Sequence, residues 1–361
     1  MRILTTRFKR TSLLFLVLAV GVAVMLIGPS YAVEKVAIAH LQQKDMETNE
    51  VYPAMLQFKR LVEERIGGAF EVEIFPGGQL GNEVETTQEV QQGYTIQMVI
   101  ASSGAFSAFY KKYQAIVQPF LFPDKLTAWA FFDSDYMANF MKGLPKIGLR
   151  YLGTMDDGGG FVVLTNSLRP VYSMEDFKGM RVRTEENPSH MAIMNAMGAS
   201  ATPMPWGDVA TALATKTAHA QFNAPAVIAD NHLWDIQKYV SETRHIYNTL
   251  QWLVSERWYQ RQSKKHQVEI LRAVREAIHY SRSLAAHLSL KAVIASKKHG
   301  MVWNSITPEN IEKMRKASQA GYRRWVVEDY GLSADLLDSV SNEVTRIYAA
   351  NGKELVRKYG Q

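Results

Sequence analysis

The chain contains no cysteine. That excludes a disulfide framework, thiol catalysis and any zinc site that needs a Cys ligand. Its 12 prolines form no linker-like run, so no proline-rich spacer divides it. A dominant charge sign is also lacking, with 41 Lys and Arg against 35 Asp and Glu. Four of those positives (Arg2, Arg7, Lys9 and Arg10) precede residue 33, where there is no acidic residue. The remaining 37 against 35 form no basic footprint for nucleic acid. Catalytic signatures are missing as well: there is no phosphate loop, no Gly-x-Ser-x-Gly elbow and no His-Glu-x-x-His helix. The histidines never fall three or four apart, and the thirteen-residue recurrence of His219, His232 and His245 is no ligand spacing. These absences point away from an enzyme, a metal site and a cofactor.

Only one long hydrophobic run is present, the uncharged stretch 13–27, which comes after the four basic residues. Gly28 and Pro29 break it, and Ser30-Tyr31-Ala32 offers small residues where a signal peptidase needs them. The pattern predicts an export signal over 1–32, cleaved after Ala32, and a mature protein outside the cytoplasm. An uncleaved anchor is the alternative, since the run nears the length of a short spanning helix.

The chain beyond residue 32 reads as α/β. Residues 35–39, 70–75 and 95–101 carry strand patterns, and 52–65 and 83–92 carry helical ones. This alternation predicts a largely parallel sheet. Further strands are expected at 149–154 and 161–165, around a flexible Asp156-Asp157-Gly158-Gly159-Gly160. The α/β pattern then recurs, with strands at 180–183 and 201–204 and helices at 189–197 and 208–215. Leu271, Val274, Ile278, Ala285, Leu288, Ala292 and Ala295 keep a three/four spacing. They predict one helix from near His266 to Lys298, long enough to brace two lobes. The loop carboxylates Asp156 and Asp157 are candidates for a cation, though loop acids are usually solvated.

Five segments carry a resemblance. Phe75-Pro76-Gly77-Gly78-Gln79-Leu80-Gly81 is followed by Gln118-Pro119-Phe120-Leu121-Phe122 and by the stretch 174–183, MEDFKGMRVR. Thr202-Pro203-Met204-Pro205-Trp206-Gly207-Asp208 comes next, then Ile236-Gln237-Lys238-Tyr239 with Thr243-Arg244-His245. In this order they resemble the substrate-binding proteins of tripartite ATP-independent periplasmic (TRAP) transporters, the DctP family. The resemblance implies a two-lobed periplasmic-binding-protein fold with a hinge, a deep interlobe cleft and a long helix spanning both lobes. Lobe I would be 33–160 with a return segment at about 249–288. Lobe II would be 161–248 with the C-terminal helices at about 289–361. It also implies a periplasmic monomer that hands a small organic acid to TRAP membrane permease subunits, driven by an ion gradient.

Arg183 matches the motif arginine that pairs with the ligand carboxylate, and a guanidinium suits this because its parallel N–H groups fit two oxygens. Asn223 matches the asparagine that donates to the same carboxylate, with Gln221 and Phe222 beside it. Trp206 stands where the family usually has Phe against the ligand body, and Ser103 where it has a polar contact. The segment 40–43 is a further candidate for the cleft wall. Arg181 matches a structural position. The chain departs from the family where a second cleft arginine is common, which falls here on Val162 or Val163, and where an acidic residue has become Phe222. Those departures favour a monocarboxylate with an apolar or aromatic body over a dicarboxylate or sugar acid. An amino acid would also need an anion for its ammonium, for which Asp208 or Asp156 is available. A component of an ATP-driven importer, a sensor lobe and a secreted α/β enzyme are the competing readings.

Overall fold

The computed structural model describes residues 33–359, and the export signal expected at 1–32 lies outside them. From the N-terminus the elements are β1 (Glu34–Ala39), α1 (Val51–Arg65), β2 (Phe70–Phe75), α2 (Glu83–Gln92), β3 (Met98–Ser102), α3 (Ser103–Phe109), α4 (Lys125–Phe132), α5 (Asp135–Phe140) and β4 (Leu149–Phe161). Next come β5 (Val163–Asn166), β6 (Arg181–Thr184), α6 (Pro188–Ala196), β7 (Ser200–Pro203), α7 (Val209–Ala214), β8 (Ala220–Asn223), α8 (Pro225–Asp230) and β9 (Tyr239–Ser241). The last third holds β10 (Tyr247–Ser255), α9 (Glu256–Arg261), α10 (Lys264–Lys298), β11 (Val302–Asn304), α11 (Pro308–Arg324) and α12 (Ala334–Tyr359).

The strands form two sheets, ordered β2-β1-β3-β10-β4 and β11-β9-β5-β8-β6-β7, and each sheet is the centre of one lobe. Both are mixed, where a largely parallel arrangement is expected from the sequence. β1 pairs parallel with β2 and β3, but β10 runs antiparallel to β3 and β4. The reason is topological: β10 belongs to the first sheet yet enters it from the second lobe, so its direction is set by the crossing and not by a βαβ unit.

Period-two alternation divides each sheet between two cores. Met98, Ile100, Leu250, Trp252 and Val254 face one way, against α1 and α10. Val99, Ala101 and Leu253 face the other, against aromatic residues of α3, α4 and α5. In the second sheet Leu164, Val182, Ala220 and Phe222 share one core, while Val163 and Val240 lie in another.

The long helix is present as α10, at 35 residues. It packs on α1 and β4 of the first lobe and on α8 of the second. Its buried face differs from the expected stripe, leaving Ala295 half-buried and taking in Ser281. Leu271 is exposed, and Arg282 is buried instead. Arg282 donates to both oxygens of Asp133, at 2.7 and 3.1 Å, and to the Thr154 carbonyl at 2.7 Å. An apolar pattern cannot reveal a buried charge whose partner lies on another element. The last two helices divide between the lobes. α11 packs on α6, whereas α12 places Val340, Val344 and Ile347 in the core that holds Phe131 and Phe132.

The segment Asp156–Gly160 is the largest departure from expectation. It forms no flexible loop but continues β4 as far as Phe161, and its side chains and backbone are buried. Its glycines are required by close packing. Gly159 has φ +106°, and a Cβ there would collide with Ser289 of α10. Gly158 has φ +59°, and a Cβ would lie 2.6 Å from Val227 of α8. The Ser289 hydroxyl donates to the Gly158 carbonyl at 2.7 Å, so both lobes and the long helix meet at this strand.

Candidate functional site

A cavity is lined by residues from both lobes. Leu41, Gln42, Thr48, Asn49, Glu50, Asn82, Glu83, Ser102, Gly104 and Asp157 come from the first, and Arg183, Glu185, Trp206, Asn223, Val227 and Asp230 from the second. The local sequence sets several of these positions. Asn82 caps α2, accepting from Glu85 N while Glu85 accepts from Asn82 N, each at 3.0 Å. This capping box places Glu83 in the first helical turn, where its carboxylate accepts from the Ser102 amide at 3.0 Å and from the Ser102 hydroxyl.

Arg183 lies on β6 and is 4% exposed. Its Nε and Nη2 donate to the Met204 carbonyl at 3.2 and 2.9 Å, and its guanidinium lies 5.3 Å from the Trp206 ring centroid. One edge of the fork is thereby fixed, while Nη1 donates to no acceptor among the described residues. Burial pulls its pKa down, and the carboxylates of Glu185, Glu83, Glu186 and Asp157 push it up. It is the one basic side chain among the described residues that line the cavity.

Asn223 ends β8 and lines the cavity beside this group. A chain of amides sets its orientation. Asn223 Nδ2 donates to Gln221 Oε1 at 2.7 Å, Gln221 Nε2 to Thr165 Oγ1 at 2.8 Å, and Asn248 Nδ2 to Asn223 Oδ1 at 3.4 Å. One Nδ2 hydrogen therefore remains for a solute.

Three residues in the expected set are placed outside the lining, Phe222, Ser103 and Gln221. Phe222 does not line the cavity: strand alternation turns it to the opposite face of β8, where its ring packs on His190 and His245 at 5.3 and 4.8 Å. Ser103 is buried in α3 outside the lining, and its neighbour Ser102 takes the cleft position. Gln221 stands behind Asn223 as its support. Leu41 and Gln42 of the segment 40–43 reach the cavity, while His40 is buried and its pKa is lowered to about 4 by burial. Val162 and Val163 are both core residues outside the lining, so neither adds to the cavity wall, and among the described residues Arg183 has no second basic partner there. Arg181 is exposed and donates to the Thr217 and Lys216 carbonyls at 2.8 and 2.5 Å.

The acidic candidates are rearranged as well. Asp156 turns away from the cavity, to the Tyr247 hydroxyl at 2.7 Å and the Trp129 Nε1 at 3.0 Å. Asp208 is exposed outside it. Among the described residues no group of three or more His, Asp or Glu side chains is arranged to hold a metal ion. Of the acidic lining, sequence reasoning singled out Asp157 alone, as a loop acid that could meet a cation, and missed Glu50, Glu83, Glu185, Glu186 and Asp230. Glu185 and Glu186 come two and three residues after the motif arginine, which was the one available signal. Burial pushes Glu50 up to about 8 and Glu83 up to about 7. Asp157 is raised well above the ordinary carboxylate range, first by burial and then by the charges of Glu50, Glu185, Glu83 and Asp230.

Comparison with known proteins agrees with this architecture. Residues 42–329 match the model of the bacterial extracellular solute-binding protein family 7, DctP. The chain is 29% identical over 294 residues to the 2,3-diketo-L-gulonate-binding periplasmic protein of Escherichia coli K12, covering 81% of this chain and 88% of that one. A TRAP periplasmic solute-binding protein from Ochrobactrum anthropi, with its C-terminus bound in the ligand-binding pocket, is 30% identical with a TM-score of 0.77, over 91% of this chain and 98% of that one. One from Polaromonas sp. JS666, bound to D-erythronate, is 26% identical with a TM-score of 0.77, over 85% and 98%. With a family match across most of its length and this two-lobed structure, the chain belongs to the DctP family of TRAP periplasmic solute-binding proteins, which bind and do not transform their solutes.

Proposed function

We propose that this protein captures a small organic monocarboxylate between its lobes and delivers it to a TRAP membrane permease. The observation that carries the reading is Arg183, a buried guanidinium with one edge fixed on Met204 and Nη1 left free. A single basic group in the lining suits a single carboxylate. Charge-assisted bonds from Arg183, completed by the Asn223 amide, would hold that carboxylate at low local dielectric. Trp206, with Met204, Pro205 and Val227, would pack against an apolar or aromatic body. Export to the periplasm with cleavage after Ala32, and action as a monomer, belong to the same reading.

A second reading is favoured by the polar lining, which includes Gln42, Asn49 and Asn82. It takes the solute as a hydroxylated sugar acid, in keeping with the gulonate derivative and the D-erythronate attributed to two relatives. The deciding experiment is a thermal-shift screen of unfolded-and-refolded mature protein against apolar, aromatic, hydroxylated and dicarboxylic acids. A solute at one hundred times its dissociation constant stabilises the native state by about 2.7 kcal/mol, enough for a clear shift. A shift with apolar or aromatic monocarboxylates supports the first reading, and one confined to sugar acids supports the second. Preference for dicarboxylates, or no shift with any acid, overturns the proposal.

A further inference from the structure

An anion alone does not complement the charge of this cleft. Among the described residues the lining contains six carboxyl groups against the single guanidinium of Arg183. A solute carboxylate would occupy Arg183 and leave the acids facing one another. Three of them are brought together on one wall, Glu50 and Asp157 from the first lobe and Asp230 from α8 of the second: Glu50 is bonded to the residue after Asp157, and Asp230 to the two residues before Glu50. Glu50 commits one oxygen to the Gly158 amide at 2.7 Å, and Asp230 accepts from Thr48 and Asn49 at 2.8 and 3.1 Å.

Asp157 differs from both. It is 8% exposed, it lines the cavity, and its carboxylate accepts no hydrogen bond from any described residue. A buried carboxylate without a donor is costly and is normally met by a cation or by several donors. The following strand is closely packed, with the Ser289 hydroxyl of α10 bonded to the Gly158 carbonyl and no room for a Cβ at Gly158 or Gly159 beside α8 and α10, so the position of Asp157 belongs to the packed strand and not to a mobile loop. No group of three or more acids among the described residues is arranged to hold a metal ion, and the cavity that Asp157 lines opens this carboxylate to a group on the solute. Hydroxyl groups on a solute would supply donors but would leave the repulsion among the acids, whereas a positive charge relieves both.

We propose that the solute carries an N–H-bearing cationic group as well as its carboxylate, the carboxylate held at Arg183 and the cation at the corner formed by Glu50, Asp157 and Asp230. The solute class is then a zwitterion such as an amino acid. The inference rests on the carboxylate reading above and adds the second pole. The raised pKa values of Glu50 and Asp157 accord with it, because a bound cation would restore their ionised forms.

The test is calorimetric titration of refolded mature protein with matched triads of acids, each holding an ammonium, a hydroxyl or a methyl group at the same carbon, with that carbon placed from the α to the ε position. Leucine with 2-hydroxy-4-methylpentanoate and 2,4-dimethylpentanoate forms one triad, and γ-aminobutyrate, γ-hydroxybutyrate and valerate another. At one spacing the ammonium member is expected to bind at least about tenfold more tightly than both partners, a coupling usual for close charge pairs. Asp157→Asn, or Glu50→Gln should that variant not fold, is expected to remove most of this preference. Equal or tighter binding of hydroxy or methyl acids at every spacing overturns the inference, as does an ammonium preference that survives both variants. In that event the carboxylate reading stands if Arg183→Ala abolishes the binding that remains. Absence of binding by every triad and by sugar acids overturns both.

Discussion

Asn49 of the first lobe donates its side-chain amide to Asp230 of the second at 3.1 Å, and the Thr48 hydroxyl donates to the same oxygen at 2.8 Å. These bonds join the segment before α1 to the end of α8 across the cleft. A second crossing joins Gln114 Nε2 to Asn187 Oδ1 at 2.9 Å, with Ser189 against the same glutamine. Both crossings form only when the lobes stand close, so they stabilise the closed arrangement directly. Thr48→Val removes one hydrogen bond to a charged acceptor with little change in shape, a loss of about 1.5–3 kcal/mol. Solute dissociation, followed by stopped-flow tryptophan fluorescence, is expected to accelerate by about tenfold or more. An unchanged dissociation rate would show that this contact does not hold the lobes together.

Arg183→Ala is expected to keep the native circular dichroism spectrum and to lose at least about a hundredfold in affinity, since it strips the carboxylate of its charged partner. Arg183→Lys keeps the charge but loses the planar fork and the hold on the Met204 carbonyl. It should recover only part of that loss. Equilibrium titration of the two variants side by side separates charge from geometry, and full recovery by lysine would reduce Arg183 to a point charge.

At Gly159 a substitution meets both a left-handed backbone and a filled space. Gly159→Ala would set a Cβ against Ser289 of α10, with the Ala285 carbonyl 3.4 Å away. The expected destabilisation is about 2 kcal/mol or more, seen as a fall of several degrees in melting temperature. A variant as stable as the parent would show that α10 can shift away from β4 without loss.

The stability of the solute-free protein should fall as pH rises above neutrality. Glu50 and Glu83 have folded pKa values of about 8 and about 7, against an ordinary 4.5. Each holds a proton in the fold that the unfolded chain has already released. Their contribution is therefore complete below the unfolded pKa and disappears as pH rises through the folded one. Around Glu50, Asp156, Asp157 and Asp230 oppose its ionisation, while the Gly158 amide and the charge of Lys125 favour it. The buried His40, His190 and His245, lowered to about 4, 3 and 3, act in the opposite sense, but only below their ordinary 6.5. Between pH 6.5 and about 8 the acids alone remain, and melting temperature is expected to decline. Glu50→Gln should flatten that decline. A parent protein whose stability rises over the same interval would contradict the burial assigned to Glu50.

Much of the architecture was legible in the residue order. The elements that alternate or repeat strictly, such as β2 and α10, needed only the side-chain period of their own backbone. The stretch 149–165 was harder. Three successive glycines normally mark a flexible loop, and only the approach of α8 and α10 shows them to be the tightest part of β4. Arg282 on α10 failed for a related reason, because its partner Asp133 is 149 residues away.

The candidate site divides along the same line. Sequence alone determined the DctP family of the chain and made Arg183, Trp206 and Asn223 the candidates for its cleft, since both depend on short motifs read in order. Tertiary structure decided which faces those strands present, turning Phe222 into the core and bringing Ser102 to the cleft in place of Ser103. It also brought together Glu50, Asp157 and Asp230, which lie far apart in the chain and carry no common pattern. Their effect on one another depends on burial and separation in space, and those quantities exist only once the two lobes have folded.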